Sequence, residues 1–254
     1  MDSHPLQVVT VQLGNRYPDA WTTRLANMVA RNLQEHHRFI IYTDKPDRAR
    51  FQTDSSSNQV VEVRDLQQGK LQGYFGKLRL FDQALTGPAP FLFLDNTLVI
   101  RSSISELVEI GRKNEQHLTG VRDWNYPILN SSVMWVKPNN NTQEVWEAWS
   151  RGRYQDENFP GDQNFILRAL KNEELAYWQE GIVCSYKNLR KLEKKEPEQA
   201  KLQLEGCSIL KFHGNPKPSE VISPWRHPMH TILRNPLKPS LWSYLANEIR
   251  AYWR

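Results

Sequence analysis

Hydrophobic and polar positions follow two rhythms along this chain. Short β-branched or aromatic runs, bounded by Gly, Pro, Asn or Asp, alternate with segments whose apolar residues recur every third or fourth position. Leu6 to Val11 predicts a first strand, closed by Leu13-Gly14-Asn15. Tyr17-Pro18-Asp19 predicts a helix start with Asp19 available as a cap, and Trp21, Leu25, Met28, Val29 and Leu33 then share one face. Phe39 to Tyr42 and Val60 to Val63 predict the second and third strands. Lys77, Leu78, Leu80, Phe81 and Leu85 predict a helix leading into Phe91 to Ile100. Strands separated by amphipathic helices argue for an α/β fold with a mostly parallel sheet flanked by helices.

The second half continues the pattern less regularly. Ile104 to Ile110 predicts a short helix, and Gly120-Val121 leads to Asp123 and a turn at Trp124 to Pro127. Ser131 to Val136 predicts a strand, Val145, Trp146 and Trp149 a helix, and Pro160-Gly161-Asp162 the start of another. Ala176 to Trp178, Ile182 to Ser185 and Ile209 to Phe212 predict late strands. Residues 188–205, dense in Lys, Arg and Glu, suggest a solvated, partly helical excursion or flap. The expected division is therefore one domain over 1–223 and a Trp-rich tail over 224–254. That tail ends in a helix capped by Ser240, with Trp242, Leu245, Ile249 and Trp253 on one side, and serves as core or as an oligomer contact.

The stretch Phe91 to Ile100 stands out because its apolar run is interrupted by one carboxylate. A continuous apolar strand is buried on both faces, so Asp95 ends the strand at the sheet's C-terminal edge, where open α/β sheets hold ligands. A buried aspartate needs a cation, a hydroxyl or backbone donors. Asp95 and Asn96 equally suit a simple turn out of the strand.

Composition narrows the field. The 254 residues are 39% hydrophobic, with nine each of Trp, Tyr and Phe, enough for a sizeable core. The net charge of +5 is moderately basic. The basic residues are not interleaved with aromatics, so no nucleic-acid partner is expected. Two cysteines without metal-ligand spacing fit a reducing compartment. Residues 1–13 do not read as a signal peptide, and no run approaches the roughly 20 apolar residues of a membrane span. A cytoplasmic protein is the expectation.

Five segments in order resemble the nucleotide-sugar glycosyltransferases of the D-x-D (GT-A) fold, especially the glycogenin-like group and its bacterial relatives. They are Gly14-Asn15-Arg16-Tyr17 with the helix that follows; Lys77-Leu78-Arg79-Leu80-Phe81 leading to Phe91 to Ile100; Asn130-Ser131-Ser132-Val133-Met134; Gly161-Asp162-Gln163-Asn164-Phe165; and Ser185-Tyr186-Lys187 with His213-Gly214-Asn215-Pro216-Lys217-Pro218. The resemblance implies a GT-A, Rossmann-like mixed sheet in a single domain. It implies transfer of a hexose, with retention, from a nucleotide-diphosphate donor such as a UDP-sugar to an unidentified acceptor. Leu13, Gly14 and Tyr17 would hold the nucleobase end. Lys77, Gly214 and Lys217 would reach the diphosphate, and Asp123, Asn130, Asp162 and Gln163 the sugar. A manganese or magnesium ion would bridge the phosphates from Asp95, Thr97 and His213, since oxygen and imidazole ligands suit such ions.

The chain departs from that pattern at the metal motif. Anchored on the strand, the second Asp of D-x-D becomes Thr97; anchored on Thr97-Leu98-Val99, it becomes Asn96. Either way a metal carboxylate is missing, so the ion is expected to bind weakly. Ser132 replaces a family glycine. Two alternatives follow: a non-catalytic nucleotide-binding relative, or transfer without a metal in which Lys217, Lys77 or Arg16 neutralises the diphosphate. Asp123 or Asp156 could be argued as an inverting base. The bland readings are a helix cap for Asp162, a surface histidine for His213 and a turn residue for Asn130.

Overall fold

The computed structural model describes residues 5–222, apart from 16, 48–50, 52, 55, 68, 70, 72 and 155, together with residues 248–253. Arg16 thus lies outside the described residues, as do Ser240, Trp242 and Leu245 of the tail. The strands in chain order are β1 (Leu6–Gln12), β2 (His37–Thr43), β3 (Gln59–Asp65), β4 (Phe91–Leu94), β5 (Leu98–Ile100), β6 (Leu118–Arg122), β7 (Leu129–Val136), β8 (Leu175–Tyr177), β9 (Val183–Ser185) and β10 (Ile209–Lys211). The helices are α1 (Asp19–Asn32), α2 (Gln83–Thr86), α3 (Ser105–Lys113), α4 (Asn140–Ser150), α5 (Asp162–Ala169), α6 (Tyr186–Lys195), α7 (Pro197–Glu205) and α8 (Pro218–Ile222).

Seven strands form the central sheet in the order β3-β2-β1-β4-β7-β6-β8. β1 pairs parallel with β2 and β4, and β2 with β3, whereas β7 runs antiparallel to both β4 and β6. β4 is therefore interior, and its four residues are all buried. Successive residues of a strand point to opposite faces, and each face meets its own layer. Leu92 and Leu94 pack with Leu25 and Val29 of α1 and Leu107 of α3, while Phe91 and Phe93 pack with Leu78, Phe81, Val145 and Phe165 on the other side. A separate three-stranded sheet, β5-β10-β9, joins the first layer.

The structure revises several local expectations. Asp19 does not cap α1: Pro18 occupies that position without a side-chain bond, and Asp19 is the first helical residue, where its charge favours the helix dipole. The helix expected from Lys77 onward is a 3-10 helix, Gly73–Phe81, followed by α2, which Asp82 caps by accepting a hydrogen bond from the Ala84 N–H at 3.0 Å. β6 was hidden by Gly120, which sits at the bulge opposite β7 and has no side chain to mark a β pattern. Residues 188–205 form the bodies of α6 and α7, held by buried Leu189, Ala200 and Leu204, so the charge run covers an ordered helix pair. In the tail, residues 248–252 are helical, and Trp253 packs edge-on to Trp21 at 5.4 Å. No described helix is long and apolar enough to cross a membrane.

The seam between α3 and β7 offers a test of the packing. A Cβ added at Gly111 would lie 2.4 Å from Cγ and 2.9 Å from Cβ of Trp135, atoms too close to the backbone to swing away. Gly111→Ala gains about 1 kcal/mol of helix propensity and loses up to about 3 kcal/mol to overpacking. The net expectation is a loss of about 1–2 kcal/mol, or a fall in Tm of about 2–8 °C. An unchanged or raised Tm would show that β7 and α3 can separate at little cost.

Candidate active site

Because β7 runs opposite to β4, its first residues stand beside the end of β4 and the end of β1. A cavity of about 620 Å³ opens at this shared edge. The loop after β1 contributes Leu13, Gly14 and Tyr17; the 3-10 helix contributes Lys77; the turn after β4 contributes Asp95 and Thr97. Asn130 comes from β7, Asp162 and Gln163 from the start of α5, and His213, Gly214 and Lys217 from the segment after β10. Asp95, from the turn after β4, and His213 and Lys217, from the distant segment after β10, thus face one space. Ser132, where the resemblance implied a glycine, lines it too and donates to Asn130 Oδ1 at 2.5 Å.

Four charged side chains interlock along the cavity floor. Lys77 Nζ lies 2.9 Å from Asp162 Oδ2 and 4.0 Å from Asp95 Oδ2, and donates to Ser131 Oγ at 3.1 Å. Ser131 in turn donates to Asp162 Oδ2 at 2.5 Å. Lys211 Nζ lies 2.9 Å from Asp95 Oδ2 and donates to Thr97 Oγ1 at 2.6 Å. Burial alone would raise the Asp95 pKa, but the Lys211 and Lys77 ammonium groups outweigh it and hold the carboxyl far below the usual range. Burial likewise works against the charge on Lys77, and Asp162 and Asp95 overcome it, leaving its pKa raised. Asp162 is no helix cap: Gly161 holds the cap position, and the carboxylate turns to Lys77 and Ser131 instead.

Lys211 was not anticipated. The signal was present, since a lysine between Leu210 and Phe212 in a buried strand needs a partner for the same reason Asp95 does. Asp44 was also missed; it lines the cavity and accepts the Gly14 N–H at 3.0 Å, while Gly14 adopts a φ of 58°.

Two expected residues are placed elsewhere. Asn96 is buried beneath the floor, where its amide donates to Val11 O at 3.0 Å and Gln12 Oε1 at 2.8 Å and accepts from Thr10 and Thr22 Oγ1 at 3.2 Å. It ties β4 to β1 and α1, and the residue facing the cavity is Thr97. Asp123 does not line the cavity: it accepts from the Asn125 N–H at 2.9 Å, shaping the turn, and from Asn130 Nδ2 at 2.9 Å, so it orients Asn130. Asp156 is likewise absent from the lining.

His213 stacks on Trp124 with ring centroids 5.9 Å apart, and its Nε2 lies 2.6 Å from Ser185 Oγ. Burial, followed by the nearby Lys187 and Lys211 charges, lowers its pKa and favours the neutral imidazole. Gly214, at a φ of 64°, has Lys187 Nζ 2.7 Å from where a Cβ would sit. Lys217 Nζ stands 5.5 Å from the Tyr17 ring centroid. The donors expected to hold a divalent ion do not fit one in this arrangement. Asp95 Oδ2 and Thr97 Oγ1 are both bonded to Lys211, and His213 Nε2 to Ser185. No cluster of three or more His, Cys, Asp or Glu side chains able to hold a metal occurs among the described residues.

Neither protein-family models nor curated proteins give a match to this sequence. Solved structures do. The glycosyltransferase GlyE of Streptococcus pneumoniae TIGR4 superposes with a TM-score of 0.62 at 14% identity, over 96% of this chain and 63% of that one. The galactosyltransferase LgtC, solved with donor and acceptor sugar analogues, gives 0.59 at 13% identity over 97% and 96%. The bifunctional glycosyltransferase WbbM gives 0.65 at 9% identity over 99% of this chain and 50% of its own. The fold is that of the GT-A glycosyltransferases. The chain spans under two thirds of GlyE and half of WbbM, and nearly all of LgtC.

Two outcomes test the GT-A site geometry. Asn96→Asp removes donors from Val11 O and Gln12 Oε1 in a buried network, so it should cost at least about 2 kcal/mol, or about 4–8 °C in Tm, without improving manganese affinity. An improved affinity would mean that residue 96 reaches the cavity. The folded pKa of Asp95 lies below its unfolded value near 3.8. Its ion pairs therefore contribute stability that is complete above that value and lost as pH falls below it. Asp95→Asn, though less stable at neutral pH, should lose less stability on acidification from about pH 5 to pH 2. Parallel acid titrations of both proteins would contradict the pairing.

Proposed function

We propose that this protein is a glycosyltransferase that moves a hexose from a UDP-sugar to an acceptor hydroxyl with retention of anomeric configuration. The observation that carries this reading is the convergence of Lys77, Asp162, Asn130, His213 and Lys217 on the GT-A sheet edge, around a cavity large enough for a nucleotide sugar. The loop after β1 suits the nucleobase end: Tyr17 is held by stacking on Trp21 at 5.0 Å, and Gly14 is fixed by Asp44. Lys217 and Lys77 suit the diphosphate, where charge grows as the glycosidic bond breaks. Asp162, Gln163 and Asn130 suit the sugar, and Asp123 serves by orienting Asn130.

Retention is supported by the state of the cavity's carboxylates. Asp95 and Asp162 are ion-paired with ammonium groups, and Asp44 is bonded to a backbone N–H. All three are engaged in these contacts, whereas an inverting route needs a free base to take the acceptor's proton. Cys184 and Cys207, both buried and unpaired, suit a reducing compartment such as the cytoplasm.

Incubation with UDP-glucose and UDP-galactose, followed by measurement of released UDP, tests the reading. Slow hydrolysis of at least one donor is expected, and Asp162→Asn should lower its kcat by about 10–100-fold, the worth of one charge-assisted hydrogen bond. UDP binding without release from any UDP-sugar would favour a non-catalytic nucleotide-binding protein.

A further inference from the structure

The structure assigns Lys211 as the resident cation of this site: its ammonium, clamped between Asp95 and Thr97, receives the donor diphosphate in place of a divalent metal ion. This rests on the glycosyltransferase reading above.

The fold itself delivers the lysine. The turn Asp95-Asn96-Thr97 carries the chain from β4 of the central sheet into β5 of the second sheet. β10 runs antiparallel to β5 with Lys211 opposite Leu98, and the Phe212 N–H donates to Thr97 O at 3.0 Å. Lys211 is thereby laid against the same turn that presents Asp95. Its side chain is only 8% exposed, although a lysine stem is long enough to carry its charge out to water. Burying an ammonium is costly without good partners; here it has two, at 2.9 Å and 2.6 Å, and burial, with the Lys77 charge adding to it, still draws its pKa below the ordinary lysine value against the pull of Asp95.

An ammonium has three N–H groups. Two are taken by Asp95 and Thr97, and Lys211 lines the cavity, so the third is left for a ligand. The charge balance fits as well. One carboxylate with one ammonium sums to zero, as two carboxylates with a divalent ion do, and the second carboxylate is absent at both Asn96 and Thr97. A divalent ion entering here would have to displace Nζ from two short contacts or share Asp95 with it at close range, where like charges repel.

In the transfer, the bond between the anomeric carbon and the diphosphate oxygen breaks with its electron pair remaining on that oxygen. The acceptor hydroxyl oxygen bonds the anomeric carbon and its proton passes to solvent. Lys211 neutralises the oxygen charge on the leaving diphosphate, and no ion has to be captured beforehand.

Calorimetric titration with UDP tests this on the intact chain. The wild type should bind UDP in EDTA with a Kd within about twofold of that in manganese, and manganese alone should give no bound signal by electron paramagnetic resonance. Lys211→Met should weaken UDP binding in EDTA by about 10-fold or more while leaving uridine, which lacks phosphate, unaffected; a merely structural lysine would weaken both alike or neither. Lys211→Asp, which restores two carboxylates, should bind UDP only with manganese. UDP binding by the wild type that requires manganese overturns the assignment and leaves the transferase reading standing. No binding of UDP, GDP, CDP or dTDP under either condition, with no UDP-sugar hydrolysis, overturns both. If the lysine variants do not fold, the wild-type comparison alone decides.

Discussion

Two ammonium groups and two carboxylates, Lys211 and Lys77 with Asp95 and Asp162, are held together at the edge of a buried sheet, and the rest of the site depends on that interlock. Asp162 and Lys211 are buried and Lys77 and Asp95 partly buried, and an uncompensated charge in buried surroundings costs several kcal/mol. Together their charges sum to zero, and Ser131 and Thr97 take up further hydrogen bonds. The cost of assembling them is met by the packing on either side of β4, whose four residues are buried between two apolar layers. An arrangement that buries charge in matched pairs is a weak source of stability but a firm source of position. That suits a surface which must present cations to a diphosphate without reorganising.

The members of the interlock come from four places in the chain: a 3-10 helix, the turn after β4, the start of α5 and the end of β10. What aligns them is the change of direction within the central sheet, where β7 turns antiparallel and leaves its first residues beside the end of β4. The hop from β4 to β5 then joins the two sheets through a three-residue turn, with Asn96 as its internal tie to β1 and α1. Asn96 and Thr97 are adjacent yet face opposite ways. One secures the sheet and the other faces the ligand side.

Much of this was legible in the sequence where local pattern determines the outcome. A continuous apolar run specified β4, the i, i+3, i+4 spacing specified α1, and the cost of burying a lone carboxylate singled out Asp95. The features that escaped depend on contacts between distant segments. Lys211 sits in a three-residue strand whose partner, β5, is more than a hundred residues earlier, so its pairing with Asp95 has no local signature. Asn96 could be read equally as a turn residue or as a degenerate metal ligand until the groups around its amide were known. β6 was masked by its bulged glycine, and the charge run of α6 and α7 concealed the sparse leucines that pin it down.

The most direct test is a crystal structure of the protein soaked with UDP and excess manganese, with anomalous data collected at the manganese edge. Lys211 acting as the cation of the site requires the diphosphate within hydrogen-bond distance of its Nζ, the Asp95–Lys211 contact intact, and no anomalous peak between Asp95 and the phosphates. A manganese peak at that position, with the Lys211 side chain swung away from Asp95, would contradict it.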